Sequence, residues 1–184
     1  MARSRSEQAV WRREQLLDAA LRVFAEKGVD GATVKDVAQA ADVTPGLLYR
    51  YFDSKEAMVE TLLSERGFLP RLRELGVQDH DTRPAVVVLT ELLGAFDRLL
   101  ADNAELMAVF FSTVQARAPL AALVGEGQRL IGDFLLARID AGELRPHDTV
   151  TAARTLFATV AVNRRLGTPI DIAALVGLLF PEEG

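Results

Sequence analysis

The segment from Thr33 to Lys55, TVKDVAQAADVTPGLLYRYFDSK, constrains the fold of this chain more than any other. Thr33-Val34-Lys35-Asp36 puts a hydroxyl at a helix N-cap and a carboxylate three residues on, the pattern of a capping box. Val37, Ala38 and Ala41 then recur at helical spacing and predict one buried stripe. Asp42 falls where the turn needs left-handed backbone, which Asp is among the few side chains to tolerate. Thr44 reads as the next N-cap, with Pro45 at the first helical position, where its missing N–H costs nothing. Two short helices joined by about four residues form a helix-turn-helix, whose second helix can enter a DNA major groove.

Leu48 and Phe52 lie four apart on that second helix and face its core, so Leu47, Tyr49, Arg50 and Tyr51 point elsewhere. Gly46 has no side chain and leaves the backbone open to a phosphate or base edge. Tyr49 and Lys55 are natural phosphate partners, and the N-termini of both helices offer N–H groups to an anion. Tyr51 reads equally well as a half-buried packing residue.

Further residues extend the pattern from Arg13 to about Met58. Leu16, Leu17, Ala20 and Phe24 form a stripe with Gly28 after it. Ala32-Thr33-Val34, Asp36-Val37-Ala38, Ala41, Val43, Thr44-Pro45-Gly46, Leu48-Tyr49, Tyr51-Phe52 and Ser54-Lys55-Glu56 follow in order. On these residues, about a quarter of the chain, the protein resembles a TetR-family transcriptional regulator. Asp42 departs from the Gly usual in the family turn, and Tyr51 from the common His. The resemblance implies an all-α fold of about nine helices: a three-helix helix-turn-helix lobe over residues 1–55, and an effector-binding and dimerisation lobe over 56–184. It also implies a homodimer, a double-stranded DNA operator and a small-molecule effector that shifts the fourth helix and tilts the reading heads apart.

The DNA-contact set expected from these readings is Thr33, Lys35, Thr44, Pro45, Gly46, Leu47, Tyr49, Arg50, Tyr51 and Lys55. Between Thr44 and Tyr51 there is no Asn, Gln, Asp or Glu, and Arg50 is the one long cation. Direct readout is therefore thin and falls to Thr44 and to Lys35, at a position the family turns toward bases. Pro45 and Leu47 are expected against thymine methyl groups. DNA shape and an arginine arm in a minor groove supply the rest. That arm holds Arg3, Arg5, Arg12 and Arg13 against Glu7, on a chain of net charge −5. A basic end on a mildly acidic body points the DNA affinity one way. The arm is expected to be disordered alone and ordered on DNA.

Helical spacing predicts a first helix from Ser6 or Gln8 to Lys27, stopped by Gly28. Asp53 with Glu56 is read as a capping box opening a fourth helix that reaches Leu75, before a polar linker over 76–82 that contains His80. Further helices are expected from Pro84 to Ala101, from Asp102 or Asn103 to Ala116, and from Pro119 to Ala141. The last two run from an Asp148 cap to before Gly167, and from Thr168-Pro169 to near Pro181. Ala153, Leu156, Phe157 and Val160 on one of these, with Ile172, Leu175, Val176 and Leu179 on the other, are expected at the dimer interface, as a four-helix bundle. Phe96, Met107, Phe110, Phe111, Gln115 and Phe134 are the candidates for an effector pocket, and the scarcity of charge there favours an apolar or aromatic effector. Gly125, Gly127 and Gly132 within one helix suggest close packing or a soft wall.

No cysteine is present, so thiolate chemistry and zinc–thiolate sites are excluded. No metal site and no cofactor are expected. His80 and His147 fall in a linker and at a helix start, no Ser/His/Asp arrangement stands out, and no catalytic residue is assigned. The N-terminus lacks the apolar core of a signal peptide, and the longest apolar run, Ile172 to Phe180, is far short of the ~20 residues that span a bilayer. A cytoplasmic protein with no membrane partner is the expectation. The competing function is an effector-independent DNA-binding dimer controlled by a protein partner; an enzyme is the poorest fit.

Overall fold

The computed structural model describes residues 4–75 and 83–179. Regular structure among them is helical throughout: α1 (Arg5–Lys27), α2 (Val34–Ala40), α3 (Pro45–Leu48), α4 (Lys55–Glu65), α5 (Phe68–Glu74), α6 (Ala85–Ala101), α7 (Ala104–Ser112), α8 (Arg117–Asp140), α9 (Thr149–Leu166) and α10 (Ile172–Leu179), with a 3-10 turn at Val114–Ala116. No single helix among the described residues is long and apolar enough to cross a membrane. The chain forms two compact units, Met1–Gly67 with Ala104–Leu120, and Phe68–Asn103 with Ala121–Gly184. The first unit thus takes in α4 as well as the helix-turn-helix, and α7 returns to it, where it packs on α1.

In the first unit, α1 begins at Arg5 because Ser4 caps it. The Ser4 hydroxyl accepts the Glu7 N–H and the Glu7 carboxylate accepts the Ser4 N–H, a full capping box. The stretch expected as a disordered arm is thus helical from Arg5 onward; Arg3 and the Arg5 side chain lie outside the described residues. Leu16, Leu17, Ala20 and Phe24 are buried as expected. The helix stops at Gly28, whose φ of 72° and ψ of 156° fall in a region essentially open to glycine alone.

The fourth helix is shorter than its periodicity predicted. Ser54, not Asp53, caps it by accepting the Ala57 N–H at 3.0 Å, and it ends at Glu65 instead of Leu75. Two residues explain the break. At Gly67 any Cβ would collide with the Leu63 carbonyl oxygen. Pro70 cannot donate a helical hydrogen bond to Arg66, yet is tolerated in the first turn of α5, where no such bond is needed. The break adds α5, so that the described residues hold ten α-helices, close to the expected number.

In the second unit, Val88, Leu89, Leu93, Phe96 and Leu100 of α6 form the core with Leu123, Ile131, Phe134 and Leu135 of α8 and the inner stripe of α9. Pro84 precedes α6 and offers no side-chain cap. Glu143, in the turn after α8, supplies it instead: its carboxylate accepts the Ala85 N–H and pairs with Arg138 at 2.7 Å. Phe96 and Phe157 stack with centroids 4.6 Å apart, and the Phe157 ring lies on the backbone of Gly127, where a Cβ would overlap it. Of the three α8 glycines, Gly127 alone marks so close an approach; Gly125 faces open space and Gly132 makes ordinary contacts. Asp148 caps α9 by accepting from Val150 and Thr151. The last helix starts at Ile172 behind an Asp171 cap, which accepts the Ala174 N–H at 2.9 Å, and not at Thr168-Pro169.

Ala153, Leu156, Phe157, Val160 and Val176 are buried within the chain, because this stripe of α9 packs on α6 and α10. Ile172 and Leu175 are half-buried, and the Leu179 side chain lies outside the described residues. The apolar side chains left exposed on these two helices are Val150 at 56%, Val162 at 55%, Leu166 at 72% and Leu178 at 80%, and Ala158 of α9 is exposed as well. The pocket candidates are split between units. Met107, Phe110, Phe111 and Gln115 lie in the first, with Phe111 exposed, and Phe96 and Phe134 are core residues of the second.

Gly127→Ala should destabilise the second unit by about 1–3 kcal/mol, since overpacking outweighs the gain in helix propensity of ~1 kcal/mol. Urea unfolding checks this, and an unchanged midpoint would refute the close contact. Asp42 has φ of 52°, so Asp42→Gly should stabilise the first unit by about 0.5–1 kcal/mol through relief of left-handed strain. A lower midpoint would contradict that backbone.

Candidate nucleic-acid interface

The helix-turn-helix is built from short elements with satisfied ends. The Thr33 hydroxyl accepts the Asp36 N–H at 3.2 Å and donates to Asp36 Oδ2 at 2.6 Å, while the Thr33 N–H donates to the same oxygen at 2.8 Å. Lys27, in the last turn of α1, donates to Asp36 Oδ1 at 2.6 Å. The Lys27 ammonium, with the Thr33 donors, holds the Asp36 carboxyl well below the usual carboxylate range. The α2 N-terminus is therefore not open to an outside anion through Thr33, because its own carboxylate already fills that place.

The turn closes with Asp42 N–H to Gln39 O at 3.2 Å and Val43 N–H to Ala38 O at 2.9 Å, and Asp42 adopts the left-handed backbone predicted for it. Thr44 then takes the N-cap of α3 with Pro45 after it, and its side chain makes no capping bond. The regular helix ends at Leu48, but Tyr51 and Phe52 both donate to the Leu48 carbonyl at 2.9 Å, so helical turns carry on through Phe52. Leu48 and Phe52 are buried, which seals this element onto the unit and fixes what it presents outward.

Outward it presents Thr44, Pro45, Gly46, Tyr49 and Arg50, all exposed, with Tyr49 at 53%. A Cβ at Gly46 would meet nothing, so a ligand can reach the backbone there. Leu47 and Tyr51 are half-buried. Thr33 and Lys35 are exposed at the start of α2, which packs on α3. Lys35 and Arg50 have no ion-pair partner among the described residues.

Other cations of this unit are engaged internally. Arg13 makes a two-pronged pair with Glu65 at 2.6 and 2.7 Å and lies over the Phe52 ring at 5.5 Å, so this part of the expected minor-groove arm instead ties α1 to α4. Arg66 bonds Glu14 at 2.5 Å and also pairs with Asp18, a second tie between the same helices. Lys55, expected on a phosphate, is half-buried and donates to the carbonyls of Val29 at 2.8 Å and Ala32 at 3.1 Å. These long-range pairings leave no local sequence signal. The Ser4-to-Glu7 capping box, by contrast, stands in the sequence in plain form.

Residues 16–62 match the family model described as bacterial regulatory proteins, tetR family. The HTH-type transcriptional repressor KstR2 of Rhodococcus jostii (strain RHA1) is 45% identical over 82 residues, 42% of this chain and 39% of that protein. The chain thus matches less than half the length of that curated relative. Among solved structures, the probable transcriptional regulatory protein RHA5900 is 30% identical, with 91% of this chain and 94% of that one covered and a TM-score of 0.64. The ketosteroid transcriptional regulator KstR2 of Mycobacterium tuberculosis is 26% identical, with 91% and 90% covered and a TM-score of 0.66. With the helix-turn-helix formed on the residues that carry the family pattern, the chain belongs to the TetR family of bacterial regulatory proteins.

Proposed function

We propose that this protein is a cytoplasmic, sequence-specific transcriptional repressor that binds a pseudo-palindromic operator as a homodimer and is released by a small apolar or aromatic effector. The observation that carries the reading is the exposed group of Lys35, Thr44, Tyr49 and Arg50 on a helix-turn-helix whose inner face is closed by Leu48 and Phe52. Lys35 and Thr44 are suited to base edges, and Tyr49 and Arg50 to phosphates. The naming of relatives as repressors supports the sign of the effect, and the ketosteroid regulator supports an apolar effector class. The effector shifts the equilibrium only as far as it prefers the conformation that does not bind DNA.

The dimer face is assigned to the outer surface of α9 and α10, through Ala158, Val162, Leu166 and Leu178. Small and apolar side chains in such a row let two helices from each copy meet as a four-helix bundle.

Selection of bound duplexes from a randomised pool tests the reading, with a pseudo-palindrome as the expected result. Weak, salt-sensitive binding without a motif would overturn it. On the selected duplex, Lys35→Ala should cost about 1–3 kcal/mol at one base position and relax preference there. Tyr49→Phe should weaken binding to all sequences by about 1 kcal/mol. Equal losses on selected and random DNA for Lys35→Ala would refute that division of roles. Val162→Glu should yield a folded monomer in sedimentation; a persistent dimer would reject the assigned face.

A further inference from the structure

Lys55 occupies the first position of α4, where a cation opposes the helix dipole. Its contacts account for it being there. The ammonium donates to Val29 O and Ala32 O, both in the loop between α1 and α2, and both residues are themselves buried. Ala32 O belongs to the peptide unit that joins Ala32 to Thr33. The N–H of that same unit donates to Asp36 Oδ2, and Asp36 is held in turn by Lys27. One peptide plane is thus gripped at its oxygen by Lys55 and at its nitrogen by Asp36. It is the plane from which the chain enters α2, two residues before the exposed Lys35.

We infer that Lys55 is a positioning residue of the reading head: it sets the orientation of the first turn of α2, and so the aim of Lys35, instead of binding a DNA phosphate itself. The inference rests on the DNA-binding function proposed above and assigns one of its residues a different role. An ammonium that binds phosphate releases a counterion and steepens the salt dependence of affinity; one spent on backbone carbonyls does not. A residue that acts through Lys35 must also show energetic coupling to it.

The test measures Kd on the selected duplex and on a random duplex, as a function of salt, for the wild type, Lys55→Met, Lys55→Arg, Lys35→Ala and the Lys55→Met/Lys35→Ala double variant. Lys55→Met should lose about tenfold on the selected duplex and little on the random one, as expected when a single base contact is lost. The salt slope should be unchanged, Lys55→Arg should recover most of the loss, and Lys35→Ala should add little in the Lys55→Met background. Equal losses on both duplexes, with the slope reduced by about one, would make Lys55 a phosphate contact and overturn the inference. So would full additivity of the two substitutions. A wild type that does not distinguish the two duplexes would instead defeat the functional reading on which the inference stands. Should Lys55→Met fail to fold, 15N NMR of the wild-type ammonium decides: protection from exchange in the free protein is expected, and free exchange there would overturn the assignment.

Discussion

Helices of seven and four residues have no stability of their own in water, where even good helix formers need about 12–15 residues. The reading head consists of two such helices, so it exists only as far as its surroundings impose it. Val37, Leu48 and Phe52 are buried, and the long α1 shares its buried face with α2, α4 and α7. The Arg13–Glu65 pair and the Arg66 pairs join the far end of α4 to that same helix. As exposed or partly exposed ion pairs they add little stability each. Their contribution is geometric, since they fix the end of α4 against α1 within the unit.

Much of the first unit was legible because its signals are local. A hydroxyl with a carboxylate three residues on, a Thr-Pro start and an Asp in a left-handed turn each act within one turn of backbone. Thr33, Thr44, Pro45 and Asp42 all appear in those roles. The failures share a different physics. Periodicity reveals that a helix has an apolar stripe, not what the stripe meets. The α9 stripe of Ala153, Leu156, Phe157 and Val160 was therefore given to a second copy when it belongs to the chain's own core. The same periodicity carried the fourth helix past Gly67 and Pro70, although both residues mark a break. Charged side chains reach across the sequence without a local signal: Lys55 closes on carbonyls 23 and 26 residues away, and Arg13 on a carboxylate 52 residues away. A long side chain's partner is set by tertiary structure, so its type and position alone cannot name its role.

These internal engagements bear on how such a head can hold DNA at all. Lys27, Lys55 and Arg13 are spent inside the unit, which leaves Lys35 on α2 and Arg50 beyond α3 as the exposed cations of the two short helices and the turn between them. In the proposed complex those two cations alone make a small counterion-release contribution from this element. Joining two heads in the proposed dimer adds affinity without added charge, because binding of the first makes the second effectively intramolecular, with a gain that disappears when the spacing no longer fits the DNA. In the proposed dimer, thin electrostatics and effector control are therefore one design. A head that gripped DNA strongly by itself would stay bound whatever the distance to its twin. A head that grips weakly makes operator binding depend on that distance, and so on any ligand that changes it.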